Sequence, residues 1–393
     1  MKKNLLIFLL AALFIWSACS KKPESAASVE VIDGVEYIHN TATPLYPEKN
    51  VSFEEDLSIE PEDEEGNILL YYPGRYAVDN NENIYISDYQ DQVIKVFDPK
   101  GQWMRTIGRK GNGPGEFQNI GRLVLLPDGR LLVLDGSIKR LSLFDAKGNF
   151  INNHNFQNNA YNIFLAGPSF YAREEITYGK VIEAWLLERL LHVKAYDYSG
   201  NELFSFGEFV HYHSQVIDEE GRRFTISPKP FDVRSILVGD SINNRLFHCL
   251  NDKYLIEVYS QDGKLFRKID RPYQLLPVTE EDKKKYVEGF TRSSEKDRAL
   301  IEKNVVMPKL KPITDTMIVD DAGNLWVKTH EEKEEGGVVM TAYDIFNPDG
   351  HYAFRVWKDI QPGFFKKGKM YRMKRDEETG YRTLKRYRII WSD

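Results

Sequence analysis

Cysteine is nearly absent from this chain: among 393 residues there are two, Cys19 and Cys249. Cys19 sits in an N-terminal leader, so Cys249 has no intrachain partner, and the fold must stand on its core alone. Cys249 itself reads as a small apolar residue inside a strand. An excess of positive charge is also lacking. The formal net charge is −6, which gives no global reason to expect nucleic acid as a partner. Catalytic signatures are missing as well: no G-x-S-x-G elbow, P-loop or dinucleotide fingerprint occurs. The glycine-rich GRKGNGPG at 108–115 follows a strand and opens no helix, so it reads as a connecting loop. The eight histidines include His211 and His213 in an HYH triplet, but no H-x-x-x-H spacing. That pair reads as a solvated loop, and neither metal nor cofactor is expected.

Long apolar runs are missing except at the start. Lys2 and Lys3 precede an unbroken apolar run from Leu5 to Trp16, followed by Ser17, Ala18 and Cys19. The run is shorter than the ~20 residues that span a bilayer, so residues 1–18 read as a signal peptide. WSAC resembles the bacterial lipobox, with Trp16 where Leu is usual. The resemblance implies diacylation of Cys19 and a mature chain anchored to a membrane through its lipid. Residues 19–28 are small and polar and read as a flexible tether. Ser20, Lys21 and Lys22 follow the cysteine without acidic residues, which points to an outer-membrane anchor facing the periplasm.

What the chain has in quantity is aromatic residues, 22 Tyr, 22 Phe and 6 Trp, which favour strands. It also repeats itself. A turn, an alternating strand and a second strand ending in aromatic-x-x-x-Gly recur from 79, 126, 166, 243 and 320, and a sixth unit starts at 366. The turns FDPKG, FDAKG, YDYSG, YSQDG and FNPDG share one chemistry. A polar residue, mostly Asp or Asn, opens the turn, and Gly supplies positive φ near its end. Six such sheets around an axis make an all-β, six-bladed β-propeller over residues 29–393, of the NHL- or TolB-like kind. The sixth unit lacks its last strand, and 29–40 (VEVIDGVEYIHN) holds a strand with no place in the repeat. The expectation is that this N-terminal strand completes the last blade, with the tether running straight into the seam.

The stretch NIYISDYQDQVIKVFDPKGQWMRTIGRKGNGPGEF (83–117) resembles the NHL repeat. With the leader, the whole chain resembles the six-bladed propeller lipoproteins of Bacteroidetes. The resemblance implies a fold and an envelope location but no activity.

Candidate chemistry lies on the innermost strands. GRYAV (74–78), GRLVL (121–125) and VRSIL (233–237) place Arg75, Arg122 and Arg234 at equivalent positions; Asn162 and Asp315 or Thr316 stand there in the third and fifth repeats. Arginines at one level of a ring would either hold an anion between them or pair with neighbouring blades. Two segments interrupt the repeat. Residues 275–310 contain a charged, helix-prone stretch behind Thr279, a candidate N-cap. Residues 178–191 carry many large apolar groups and read as an extended connection. The Lys- and Arg-rich 365–388 reads as a solvated strand face. The functional expectation is non-catalytic binding of a protein partner or small anionic ligand on one face of the propeller. The alternatives are a propeller hydrolase or lyase with an axial metal, and a structural subunit of an outer-membrane complex.

Overall fold

A computed structural model describes residues 27–62, 65–177, 181–183, 185–219, 222–226, 228–290, 293–376 and 379–392. Cys19, its leader and most of the tether lie outside them. Six antiparallel sheets follow one another along the chain. The first blade comprises strands Pro73–Val78, Ile84–Asp88, Val93–Phe97 and Trp103–Ile107. The second runs from Ile120 to Asn155, the third from Asn159 into a long last strand at Glu202–Glu219, and the fourth from Ser235 to Asp270. The fifth runs from Met317 to Lys358 and the sixth starts at Phe364.

Each junction between blades holds its own apolar cluster. Phe117, Ile120, Leu131 and Phe144 meet Tyr85, Ile94 and Val96 between the first two blades. Trp326, Tyr343 and Ile345 meet Phe365, Met370 and Tyr387 between the fifth and sixth. Ile84, Ile86 and Phe97 meet Ile59, Tyr371 and Leu384 where the sixth blade returns to the first. That last cluster closes the ring. Because both faces of each sheet are covered, strands such as Ile84–Asp88, Leu131–Asp135 and Arg140–Phe144 are buried at every position. They read as apolar runs where a half-buried strand would alternate. Cys249 is fully buried in such a strand, and burial pushes its thiol up to about 12.

The shared turn chemistry is visible atom by atom. Asp98, Asp145 and Asp197 each accept backbone N–H bonds from two and four residues ahead, and Asn347 does the same in the fifth blade. The closing Gly148 has φ +91°, and a Cβ there would meet Ile107 at 2.7 Å. A side chain at that position is therefore excluded both by backbone and by space. A second device, at the far end of the second strand, pins the linker from the preceding blade. Asp88 accepts N–H bonds from Tyr71 (2.7 Å) and Tyr72 (3.1 Å), and Asp135 from Gln118 (2.6 Å) and Asn119 (3.0 Å). Both carboxylates are fully buried. In the fourth blade Asn251 takes this role, accepting from Arg234 N–H at 2.8 Å.

The last blade is closed by an N-terminal strand, but the strand differs from the expectation. Asn50–Ile59 pairs antiparallel with Arg382–Ser392. Residues 29–40 instead form a hairpin, Ser28–Ile32 with Val35–His39, laid on the outer edge of the fourth blade. There Glu36–His39 pair parallel with Arg267–Asp270. Residues 50–59 alternate less cleanly than 29–40, with a bulge at Glu55/Leu57, and this concealed the closing strand. The tether therefore leads to blade four and not to the seam.

Within a blade, antiparallel strands alternate in direction, so connections 1–2 and 3–4 leave one face and connections 2–3 and 4–1 the other. On the first face all are tight turns, such as 79–83, 98–102, 145–149 and 320–324. The second face carries the length. There the third blade's last strand overruns to pair with Arg222–Ile226, and the fifth blade's hairpin extends through Glu332–Thr341. Two helices, α1 (Glu280–Glu288) and α2 (Glu295–Asn304), also belong to this face. Thr279 caps α1 in a reciprocal capping box with Asp282, and Ser294 caps α2. Val287, Leu300, Ile301 and Val305 pack on Ile217 and Ile226. Gln215 fastens the contact, donating to Asn304 O (2.7 Å) and accepting from Val306 N–H (3.0 Å). The helices and the overrun of blade three thus form one lobe.

Candidate functional site

The innermost strands of the first three blades start on the elaborated face, and their polar side chains hand on from blade to blade. Arg75 is exposed and donates through Nε to Gly121 O at 3.1 Å. Arg122 donates through Nε to Asn162 Oδ1. Asn162 in turn bonds Glu174, which is 4% exposed on the next strand. Burial raises the Glu174 carboxyl to about 7, against the pull of Arg122 and the Asn162 bond. The Arg122 guanidinium is held below its ordinary value, first by burial and then by the like charge of Arg75. Arg75, Arg122 and Asn162 are therefore gathered at one place, with Glu174 beneath them.

The remaining candidates have contacts of their own. Arg234 lies beside His211, whose imidazole is driven down to about 4 by burial and then by the Arg234 charge. Asp315 faces Lys328 Nζ at 3.4 Å. Thr316 enters through its backbone, its carbonyl accepting from Thr314 Oγ1 and from Lys328 N–H.

His211 and His213 are not a solvated loop pair. Both lie in the Glu202–Glu219 strand, where His211 is buried and His213 half-buried. His211 packs edge-on against Tyr161, with ring centroids 4.4 Å apart. His213 Nδ1 is 2.9 Å from Asp232 Oδ1, and its Nε2 is 3.5 Å from Glu188. Glu174, Tyr161 and Asp232 had no motif to mark them. The pairing of 159–165 with 170–177 sets Asn162 opposite Glu174, while Tyr161 is placed against His211 and Asp232 against His213. Among the described residues no group of three or more His, Cys, Asp or Glu could hold a metal ion.

Tyr161 and Tyr89 lie close enough to Arg122 to act on its charge. Tyr71, Tyr72, Tyr161 and Tyr381 are each 43–55% exposed. Tyr72 stacks obliquely on Tyr89, and the Arg382 guanidinium lies 5.0 Å from its ring. The short linkers pinned by Asp88 set Tyr71 and Tyr72 at the rim.

The geometry has a counterpart among known families. The sequence profile of the DUF5128 family, described as 6-bladed beta-propeller, matches residues 67–180. The fold is a six-bladed β-propeller. The matched stretch contains Arg75, Arg122, Asn162 and Glu174. No curated protein matches the chain in sequence. Among solved structures, a DUF4221-family member from Bacteroides vulgatus is similar at 13% identity and a TM-score of 0.49, covering 87% of this chain and 99% of its own. A Bacteroides fragilis protein whose description proposes export is similar at 10% identity and a TM-score of 0.49, covering 91% and 100%. Virginiamycin B lyase from Staphylococcus aureus follows at 9% identity and a TM-score of 0.40, covering 87% and 100%. Among the described residues no helix is long and apolar enough to cross a membrane.

Proposed function

We propose that this protein is a non-catalytic binding module of the bacterial cell envelope, anchored through a lipid on Cys19. It engages an anionic ligand, or a partner presenting one, on the elaborated face of the propeller. The observation that carries the reading is the asymmetry of the two faces: among the described residues the long connections between propeller strands, the helical lobe, the arginine pair and Tyr71, Tyr72, Tyr161 and Tyr381 share one face, and the other carries tight turns and the incoming segment 41–49. A rigid scaffold with its variable connections gathered on one side is the arrangement of binding proteins. Arg75 and Arg122 supply the anion-directed donors, since two guanidiniums this close repel unless an anion or an acceptor lies between them. Export and anchoring rest on Lys2, Lys3, the apolar run and the WSAC motif. Ser20-Lys21-Lys22 favours the periplasmic side of the outer membrane.

The exposed tyrosines favour a protein partner as the carrier of the anion, because Tyr and Arg dominate binding energy at protein interfaces. The alternative of a metal-dependent hydrolase or lyase has no donor set among the described residues to support it. The test is a thermal-shift screen with sulfate, inorganic phosphate and citrate, alongside a pull-down from envelope extracts. Arg75→Ala combined with Arg122→Ala should remove both the stabilisation and the captured partner. Retention of both by the double variant would overturn the reading.

A further inference from the structure

The positive charge at the mouth does not end with Arg75 and Arg122. Successive residues of a strand point to opposite sides. Arg75 turns to the second blade, where it bonds Gly121 O, and Tyr76 turns to the sixth, where its hydroxyl donates to Tyr371 O at 2.9 Å. A Cβ at Gly363 would meet that hydroxyl at 2.6 Å and Arg372 Cβ at 3.2 Å, so Arg372 stands beside Tyr76. Burial raises the Tyr76 hydroxyl, and the charges of Arg372 and Arg122 both pull against it. One tyrosine thus lies within reach of guanidiniums from the second and the sixth blade.

The register puts Arg372 at the right height. It follows the Lys366–Lys369 pair by three residues, as Glu174 follows Leu165–Tyr171 and Lys328 follows Val319–Leu325. The three therefore share one level on the second strands of their blades. Arg234 joins from the fourth blade: it lies beside His211, which packs on Tyr161, and Tyr161 acts on Arg122.

These charges are not cancelled from within. Arg234 and Arg372 are half-buried, and neither guanidinium has a hydrogen bond or ion pair among the described residues. Arg75 and Arg122 each spend Nε on a neutral oxygen. No nitrogen of the four is a buried atom without a partner, so their unused donors are open to solvent. The acids nearby are few. Asp315 pairs with Lys328 at 3.4 Å. Asp232 is taken by His213 (2.9 Å) and Lys229 (3.6 Å). That leaves Glu174 as the acid facing four arginines. One negative group on a ligand would leave most of this excess unopposed, and two would bring it close to balance.

We infer, on the anion-binding reading above, that the ligand of the mouth carries two separate oxyanion groups, one held by Arg75 and Arg122 and the other by Arg372 on the sixth blade. Guanidiniums suit this task because each offers a planar pair of donors to a carboxylate or phosphate.

The test is calorimetric titration of the full-length protein in about 0.15 M salt, where scattered surface charges are largely screened. Glutarate and suberate should bind about tenfold more tightly than valerate and octanoate, their singly charged counterparts of equal length. Propane-1,3-diyl bisphosphate against propyl phosphate repeats the comparison, and the series with the tighter binding tells which oxyanion the site takes. Arg372→Gln should remove the preference for two charges, and Arg372→Lys should keep part of it. Lys147→Gln, on the turn face, should change nothing. Melting temperatures without ligand show that each variant is folded. Equal binding of singly and doubly charged probes in both series, or a preference unaltered in Arg372→Gln, would overturn the inference while the anion site itself stands. Absence of binding by every probe at millimolar concentration would overturn both.

Discussion

At the scale of single residues, two buried acids, Asp88 and Glu174, sit among different neighbours. Asp88 is surrounded by backbone N–H groups from Tyr71, Tyr72 and Gln90, with Lys95 at 3.6 Å. Asp88→Ala leaves those donors unpaired in a dry layer and should cost about 3 kcal/mol, read as a shift in the urea midpoint at constant slope. Glu174 has one polar partner and a repelling environment of apolar burial, so its carboxyl holds a proton up to about 7 in the folded state, against 4.5 when unfolded. The folded state then binds more protons than the unfolded one between those values, and stability falls as pH rises from about 4.5 to about 7. Glu174→Gln should flatten this part of the stability–pH profile; an unchanged slope in denaturant titrations would contradict the assignment. Asp88 stands at the end of a recurring strand and could be noticed in the sequence as the Asp of ISD and VLD. Glu174 could not. It follows Arg173 and precedes Glu175, and nothing in that local run tells which of the three faces the axis.

At the scale of elements, the turns and strands were legible because they repeat, and repetition carries its own check. Five turns with Asp, Asn or Ser at the start and Gly at the end fix five hairpins, and the hairpins fix the blades. The elements that do not repeat were less legible. The closing strand 50–59 has three acidic residues in a row, Glu54, Glu55 and Asp56, which on composition alone reads as a solvated connection. It becomes a strand because Lys385, Arg386 and Arg388 across the seam pair with Glu55, Asp56 and Glu54. Those partners are more than 300 residues distant in sequence, out of reach of any local pattern. Two truncations separate the N-terminal elements. Removing residues 28–39 strips a hairpin, exposed along Ser28–Ile32 and half-buried along Val35–His39, from the edge of blade four and should leave cooperative unfolding intact. Removal through Ile59 opens the ring and should abolish it; circular dichroism melts distinguish the two. At the same junction, Trp326 is fully buried among Phe365, Tyr343 and Trp391. Trp326→Ala should cost about 3–5 kcal/mol, measurable by chemical denaturation.

At the scale of the whole molecule, the two faces divide the labour. The turn face is uniform because each blade must return within a few residues, and an Asx-turn opened by Asp79, Asp98, Asp145, Asp197, Asp320 or Asn347 recurs there. The other face is free of that constraint, and the chain spends its irregular length there. Single engineered cysteines can test this division, since the buried Cys249, with its thiol pushed up to about 12, gives little background reaction. A bulky maleimide polymer on Lys147→Cys, at a tight turn, should leave partner capture intact. The same label on Tyr381→Cys, at the rim, should block it. Equal effects would show that binding does not respect the faces.

The hairpin on blade four has a mechanical meaning. A protein held by its N-terminus receives any pull from its surroundings through residue 28 first. The hairpin is joined to the propeller by a short parallel pairing of Glu36–His39 with Arg267–Asp270, reinforced by the Asn40 bonds to Asp270 O, Gly350 O and Tyr352 N–H. Beyond it, residues 41–49 form a leash to the seam strand. Tension therefore peels the hairpin before it reaches the closure. Under the proposed anchoring the hairpin would act as a sacrificial strain relief, and in a pulling experiment it should yield as a small early step that lengthens the chain while the ring stays whole.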